Sequence, residues 1–182
     1  MTESSTGETE QPSTVAWQVA RAAAEYGADF DPGVLSLTLV LYRAMAVFDR
    51  AGAAELAPHG LSVSQLNILT VLHRADRPLT MGELGHTVSV RPANLTSVVE
   101  ALTQRSLIER RVNPSDRRSY LIANTQAGED FLARFLPTHW TYLETLTRRL
   151  SSEERVVLTD LLDRLWASVE SAESCQPVEM AE

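Results

Sequence analysis

Apolar residues recur at helical spacing along most of the chain and at strand spacing in one short stretch. Residues 14–28 are Ala-rich and make a candidate short helix. Asp31 and Pro32 then supply a cap and a proline at the first helical position. Val34, Leu35, Leu37, Val40, Leu41, Ala44, Met45 and Phe48 give the helix that follows a broad apolar face, and Pro58 and Gly60 end it after about Leu56. Ser62 with Gln65 forms a capping box, opening a helix to about His73 whose core face is Leu66, Leu69, Thr70 and Leu72. Thr80 with Glu83 is a second capping box, for a short helix to about Thr87. Pro92 opens the next, with Leu95, Val98, Val99 and Leu102 at i, i+3, i+4 and i+7, a face that requires burial.

The period then falls to two. Ile108, Arg110 and Val112 share one face of a predicted strand, with Glu109 and Arg111 on the other. Residues 113–116 (Asn-Pro-Ser-Asp) are a turn cluster, and residues 119–123 read as the returning strand of a hairpin. Thr125 caps a long helix over about residues 126–150, with a bend or interruption expected near Pro137. Ser151 with Glu154 is a third capping box, before a last helix presenting Val157, Leu158, Leu161, Leu162, Leu165 and Trp166.

Composition narrows the class. At 182 residues, 44% hydrophobic and 22% charged, the chain can bury a real core. No unbroken apolar run approaches the roughly 18 residues of a membrane span. The N-terminus is polar and acidic, without the basic and apolar regions of a secretory signal, so a cytoplasmic protein is expected and no membrane partner. Cys175 is the single cysteine, with no basic neighbour to lower its pKa, so neither a disulfide nor a thiol switch is expected. His59, His73, His86 and His139 lack metal-site spacing, and no metal or cofactor is expected. The chain has no P-loop, dinucleotide fingerprint, nucleophile elbow or zinc-protease motif, which argues against an enzyme.

A net charge of −8 is unpromising for a nucleic-acid binder, but its distribution changes the picture. Residues 1–30 carry a net −4, and the end from Val169 another −4, so residues 31–168 balance at zero. Within them, residues 91–118 hold Arg91, Arg105, Arg110, Arg111, Arg117 and Arg118 against Glu100, Glu109 and Asp116, a local +3. A basic stretch in an acidic chain is an electrostatic footprint for nucleic acid.

That stretch coincides with a short helix, a tight connection and an amphipathic helix, followed by an arginine-tipped hairpin. This is a winged helix-turn-helix. Opposite its buried face the second helix presents Ala93, Thr96, Ser97, Glu100 and Gln104, with Asn94 at the side. Pro92 and Ala93 permit close approach to base edges in a major groove, where Asn94, Thr96 and Ser97 can hydrogen-bond. Arg91 can reach a guanine edge or a phosphate. Arg117 and Arg118, at the hairpin tip, suit the negative potential of a narrow minor groove.

The run Asn113-Pro114-Ser115-Asp116-Arg117-Arg118, followed by Leu121 and Thr125, resembles the wing signature of the multiple-antibiotic-resistance regulator (MarR) family of winged helix-turn-helix transcription factors. The resemblance spans residues 61–131 at its strongest and about 32–168 with the flanking helices. It implies that Asp116 holds the wing while an arginine enters the minor groove. It also implies that the first, fifth and sixth family helices intertwine in a two-fold homodimer. Such a dimer predicts a pseudo-palindromic operator with half-sites about 10 bp apart. Family members respond to small phenolic or anionic ligands, for which Arg43, His73, Trp140 and Tyr142 are the candidate contacts here. Three residues depart from the family pattern: Asn124 in place of leucine, Ser106 in place of a helix-ending glycine, and Arg91 in place of a small cap.

The expected fold is mainly α with a small β-hairpin wing, a winged helix-turn-helix flanked by N- and C-terminal dimerisation helices. The expected organisation is an acidic extension over residues 1–30, disordered in part with a candidate short helix. A dimerisation helix follows over 31–60, the DNA-binding domain over 61–124, dimerisation helices over 125–170, and a flexible acidic tail over 171–182. The expected function is sequence-specific binding of double-stranded DNA by a transcriptional repressor released by a small ligand. The alternative is a winged-helix protein-interaction module without specific DNA binding.

Overall fold

The computed structural model describes residues 14–27, 30–88, 92–116 and 118–175. Residues 1–13 and 176–182, where disorder and a flexible tail are expected, lie outside the described residues. The chain divides into two units, Met1–Thr125 and Gln126–Glu182.

In the first unit, α1 (Val15–Tyr26) is capped by Thr14, whose hydroxyl accepts the Trp17 amide at 3.1 Å, and it packs along α2 (Pro32–Leu56). Asp31 caps α2 by accepting the Gly33 amide at 2.7 Å, with Pro32 in the first turn. A 3-10 turn, Ala57–His59, ends on Gly60, whose φ of 62° is the left-handed region that favours glycine. Helices α3 (Val63–Ala75) and α4 (Met81–Thr87) follow, each opened by the expected capping box, Ser62–Gln65 and Thr80–Glu83. The Glu83 carboxylate is held down to about 2 by the Arg77 guanidinium and by the amide and hydroxyl of Thr80. It therefore stays ionised in its cap. Next comes α5 (Pro92–Gln104), then β2 (Ile108–Val112) and β3 (Tyr120–Asn124).

A short strand, β1 (Leu79–Thr80), pairs antiparallel with β3, so the expected hairpin is a three-stranded sheet of order β1-β3-β2. Two residues directly before a helix cap carry no readable alternation of their own, and only the partner reveals β1 as a strand. The core of this unit is Leu61, Leu66, Ile68, Leu69, Leu72, Leu79, Leu84, Leu95, Val99, Leu102, Ile108 and Ile122. A Cβ on Gly85 would sit 3.3 Å from Leu95, so α4 and α5 meet closely where glycine leaves room. Val98, expected with the α5 core, is only half-buried.

The second unit holds α6 (Gln126–Thr147) and α7 (Ser152–Cys175). On α6, Gly128, Leu132 and Phe135 are buried. Phe131, Phe135 and His139 stack at i, i+4 spacing with centroids 5.2 and 5.3 Å apart. The interruption expected at Pro137 is not found: α6 runs through it. Proline removes one helical N–H and crowds the carbonyl four residues earlier. The hydroxyls of Thr138 and Thr141 bond the carbonyls of Phe135 and Pro137, at 2.9 and 3.3 Å, across the same turns. The third capping box forms, with the Ser151 amide donating to Glu154 at 2.7 Å and the Glu154 amide to the Ser151 hydroxyl at 3.2 Å. α7 carries helix into the first residues of the expected flexible tail, through Cys175. Polar side chains on an exposed helix cost little, so polarity there does not mark the helix end.

Two helices leave apolar faces uncovered. On α2, Val34, Leu37, Val40, Met45 and Phe48 are exposed, Leu37 by 57%. On α7, Val157, Leu158, Leu161, Leu162 and Trp166 are exposed, Leu161 by 50%. Among the described residues, the helical stretch Pro32–His59 is also long and apolar enough to cross a membrane, with a mean hydropathy of 1.3 over its 18-residue window. A window average tolerates the polar residues scattered through the stretch, so the stretch passes this test although it holds no long unbroken apolar run. Arg43, Asp49 and Arg50 punctuate it, and such charges are costly in a bilayer.

Candidate nucleic-acid interface

The outward face of α5 is built by what lies behind it. Leu95, Val99 and Leu102 fix the helix to the core, so Asn94, Thr96, Ser97 and Glu100 are exposed on the other side. The Ser97 hydroxyl donates to the Asn94 carbonyl at 2.9 Å, which orients it while leaving its lone pairs to accept. Pro92 and Ala93 begin the helix. Arg91, just before it, lies outside the described residues.

The wing is held by a local network. Asp116 accepts the Arg118 amide on Oδ1 at 2.9 Å, and its carbonyl accepts from the Ser119 amide and hydroxyl at 3.0 and 3.1 Å. Asn113 accepts the Ser115 amide at 3.0 Å and donates to the Ser119 hydroxyl at 2.9 Å. The turn therefore sets the direction of the backbone that carries Arg118. Arg117 lies outside the described residues.

Register decides which wing side chains face α5. In β2–β3 pairing, Arg110 lies opposite Ile122 and Val112 opposite Tyr120, so these four share a face. Along β2 that face passes from Ile108, 1% exposed, to Val112, 62% exposed, as the hairpin leaves the core. Between it, the start of α4 and Thr96 of α5 lies an open cleft of about 360 Å³, lined by Thr80, Met81, Gly82, Thr96, Arg110 and Arg118 among others. Arg110 also sits 4.0 Å from Glu100, a long, partly exposed pair of little energetic weight. Arg111 points to the other face, paired with Glu109. Arg105 donates to the backbone carbonyls of His59, at 2.8 Å, and Gly60. The local positive balance is therefore not uniform. Arg110 and Arg118 meet at the cleft beside Thr96, whereas Arg105 and Arg111 are turned elsewhere.

Arg110, Ser119 and Tyr120 were not singled out by the sequence. Period two already placed Arg110 on a face with Ile108 and Val112, and that was the available signal. Two of the residues that depart from the family pattern find local solutions. Asn124 donates from Nδ2 to the Leu69 carbonyl at 3.0 Å, a bond from the end of β3 to α3. Ser106 takes φ 57°, with its amide bonded to Thr103 at 2.9 Å and the Leu107 amide to Leu102 at 3.1 Å. This is a Schellman ending with serine in the glycine position.

The four candidate ligand contacts divide between the units. Arg43 is exposed on α2 and His73 on the last turn of α3. In the other unit, Trp140 is 44% exposed, its ring 5.2 Å from that of His139, and Tyr142 is half-buried, both on α6. None of the four lines the cleft beside α5.

Comparison with known proteins agrees with this geometry. The MarR family model matches residues 61–120, from the start of the helix-turn-helix to the returning wing strand. The HTH-type transcriptional regulator MhqR of Bacillus subtilis is 30% identical over 132 residues, covering 72% of this chain and 90% of the relative. Among solved structures, a mutant of Escherichia coli MarR complexed with operator DNA superposes with a TM-score of 0.67 at 24% identity, covering 73% of this chain and 95% of that one. Bordetella bronchiseptica BpsR, solved in a study of how 6-hydroxynicotinic acid regulates its DNA binding, gives 0.65 at 22% identity, covering 70% and 91%. The relatives are regulators rather than enzymes, and this chain belongs to the MarR family of winged-helix, DNA-binding transcriptional regulators.

Proposed function

We propose that the chain acts in the cytoplasm as a homodimeric repressor that reads a pseudo-palindromic operator and leaves it when a small phenolic or anionic ligand binds. The observation that carries the reading is the cleft beside α5. There Thr96, on the exposed polar face of the helix, and two wing arginines, Arg110 and Arg118, line one concave surface. Asn94, Thr96 and Ser97, with Arg91, Pro92 and Ala93 at the helix start, read the major groove. Arg117 and Arg118 engage the minor groove, and Arg110 holds the phosphate strand between them.

The dimer reading rests on the uncovered apolar faces of α2 and α7, assigned to helices 31–60 and 125–170. Exposed apolar area on this scale marks an interaction surface. A second copy is the occupant that also supplies a second recognition helix. The effector reading rests on the likeness to BpsR and on the aromatic and cationic residues available: Arg43 and His73 in the first unit, Trp140 and Tyr142 in the second. A ligand that prefers one arrangement of the two halves shifts operator affinity by its differential binding to the two states.

Selection of bound sequences from random duplex DNA tests this directly. A symmetric consensus is expected, with half-sites one helical turn apart and log K falling with log salt by about 0.9 per phosphate neutralised. No consensus together with a flat salt response would instead identify a protein-interaction module.

A further inference from the structure

We propose that Arg105 is a positioning residue: it locks the end of the recognition helix α5 to the end of α2, so that the spacing of the dimer halves is imposed on the two recognition helices. This rests on the dimer reading above.

Arg105 is the first residue after α5, where the capping turn begins, and its side chain is exposed. Nη2 donates to the His59 carbonyl at 2.8 Å and Nη1 to the Gly60 carbonyl. These carbonyls lie 46 and 45 residues away in sequence, where the 3-10 turn after α2 ends. Helix-end carbonyls carry partial negative charge, and the planar guanidinium fork suits two neighbouring oxygens at once. A cation at the C-terminal end of α5 is favoured by that helix's own dipole as well. The dipole accounts for the charge there but not for the direction of the side chain across to another element. The acceptor side is shaped for the contact: Gly60 has φ 62°, which turns successive carbonyls toward the guanidinium, and its Cα hydrogen faces Arg105.

The next two residues make a second tether. The Ser106 carbonyl accepts the Thr125 hydroxyl at 2.6 Å, and the Leu107 carbonyl accepts the Thr125 amide at 3.0 Å. Thr125 immediately precedes α6. Three consecutive residues just after α5 thus bond the chain at both ends of the winged helix-turn-helix, at the turn after α2 and at Thr125. Arg105 is the tether made by a side chain alone, and so the one that can be removed without altering backbone.

The test is operator spacing. Full-length wild type, Arg105→Ala and Arg105→Lys are titrated on the selected operator and on versions with one base pair inserted or removed between half-sites. Wild type is expected to prefer the native spacing. Arg105→Ala is expected to shrink that preference by at least about fivefold, the lower end of ordinary coupling. Arg105→Lys, with a single ammonium in place of the fork, is expected to fall between. A spacing preference unchanged in Arg105→Ala, or equal weakening on all three DNAs, overturns the proposal in favour of a purely structural contact. If Arg105→Ala does not fold, Arg105→Lys carries the test, and a wild-type preference in it overturns the proposal. Absence of any spacing preference in the wild type overturns the dimer reading itself and the proposal with it.

Discussion

At the scale of single residues, charge counted along a sequence and charge delivered to a surface are different quantities. Arg110 and Arg111 are adjacent, yet strand alternation sends Arg110 to the cleft beside α5 and Arg111 to Glu109 on the far face. Arg118→Ala and Arg111→Ala therefore separate contact from general field. Operator affinity at moderate salt is expected to drop by about 1–3 kcal/mol for Arg118→Ala, if it makes a good groove contact, and to stay within about 0.5 kcal/mol for Arg111→Ala. Equal losses in the two variants would mean that the wing acts only through its overall charge. Period two in residues 108–112 was enough to assign Arg110 and Arg111 to opposite faces in advance. The sequence could not show that Arg105 bonds the carbonyls of His59 and Gly60. Backbone acceptors leave no residue-type signature, and the partners are distant along the chain.

At the scale of elements, legibility followed local chemistry. Each capping box marked a helix start because both partners lie within one turn: Ser62–Gln65, Thr80–Glu83 and Ser151–Glu154. β1 was invisible because its identity depends on β3, some forty residues on, and α6 outlasted Pro137 because helix on either side outweighs one missing bond. The end of α5 lies between these cases. The absence of glycine at Ser106 was readable as a strain, and the structure shows serine accepting it at φ 57°. A left-handed conformation costs an ordinary L-residue roughly 1–2 kcal/mol, part of which glycine returns through its greater freedom when unfolded. Ser106→Gly is accordingly expected to raise stability by about 0.5–1 kcal/mol, a rise of roughly 1–4 °C in Tm for a chain of this size. An unchanged or lower Tm would show that the capping turn carries no releasable strain at residue 106.

At the scale of the whole molecule, the question is why a regulator with one compact reading head carries so much uncovered apolar helix. A single recognition helix and wing contact only a few base pairs, and each contact to phosphate is weakened by salt. Joining two heads makes the second binding event intramolecular, at an effective concentration in the millimolar range, and raises affinity by about 10²–10⁴ without a new type of contact. On the dimer reading proposed above, the exposed apolar side chains of α2 and α7 join them, and burying those side chains removes the apolar area that water disfavours. Sedimentation of the wild-type chain at micromolar concentration is therefore expected to give a dimer. Leu161→Glu, which places a charge in the middle of the α7 stripe, is expected to give a monomer that keeps its helical circular dichroism and loses at least about a hundredfold in operator affinity. Its affinity for an isolated half-site should match that of wild type, because the core around Leu69, Leu84 and Ile122 and the cleft beside α5 belong to a separate unit of the chain. A wild-type monomer, or a Leu161→Glu dimer with full affinity, would move the interface off α7. A loss of half-site binding in the same variant would instead show that the reading head depends on the C-terminal helices for its own structure.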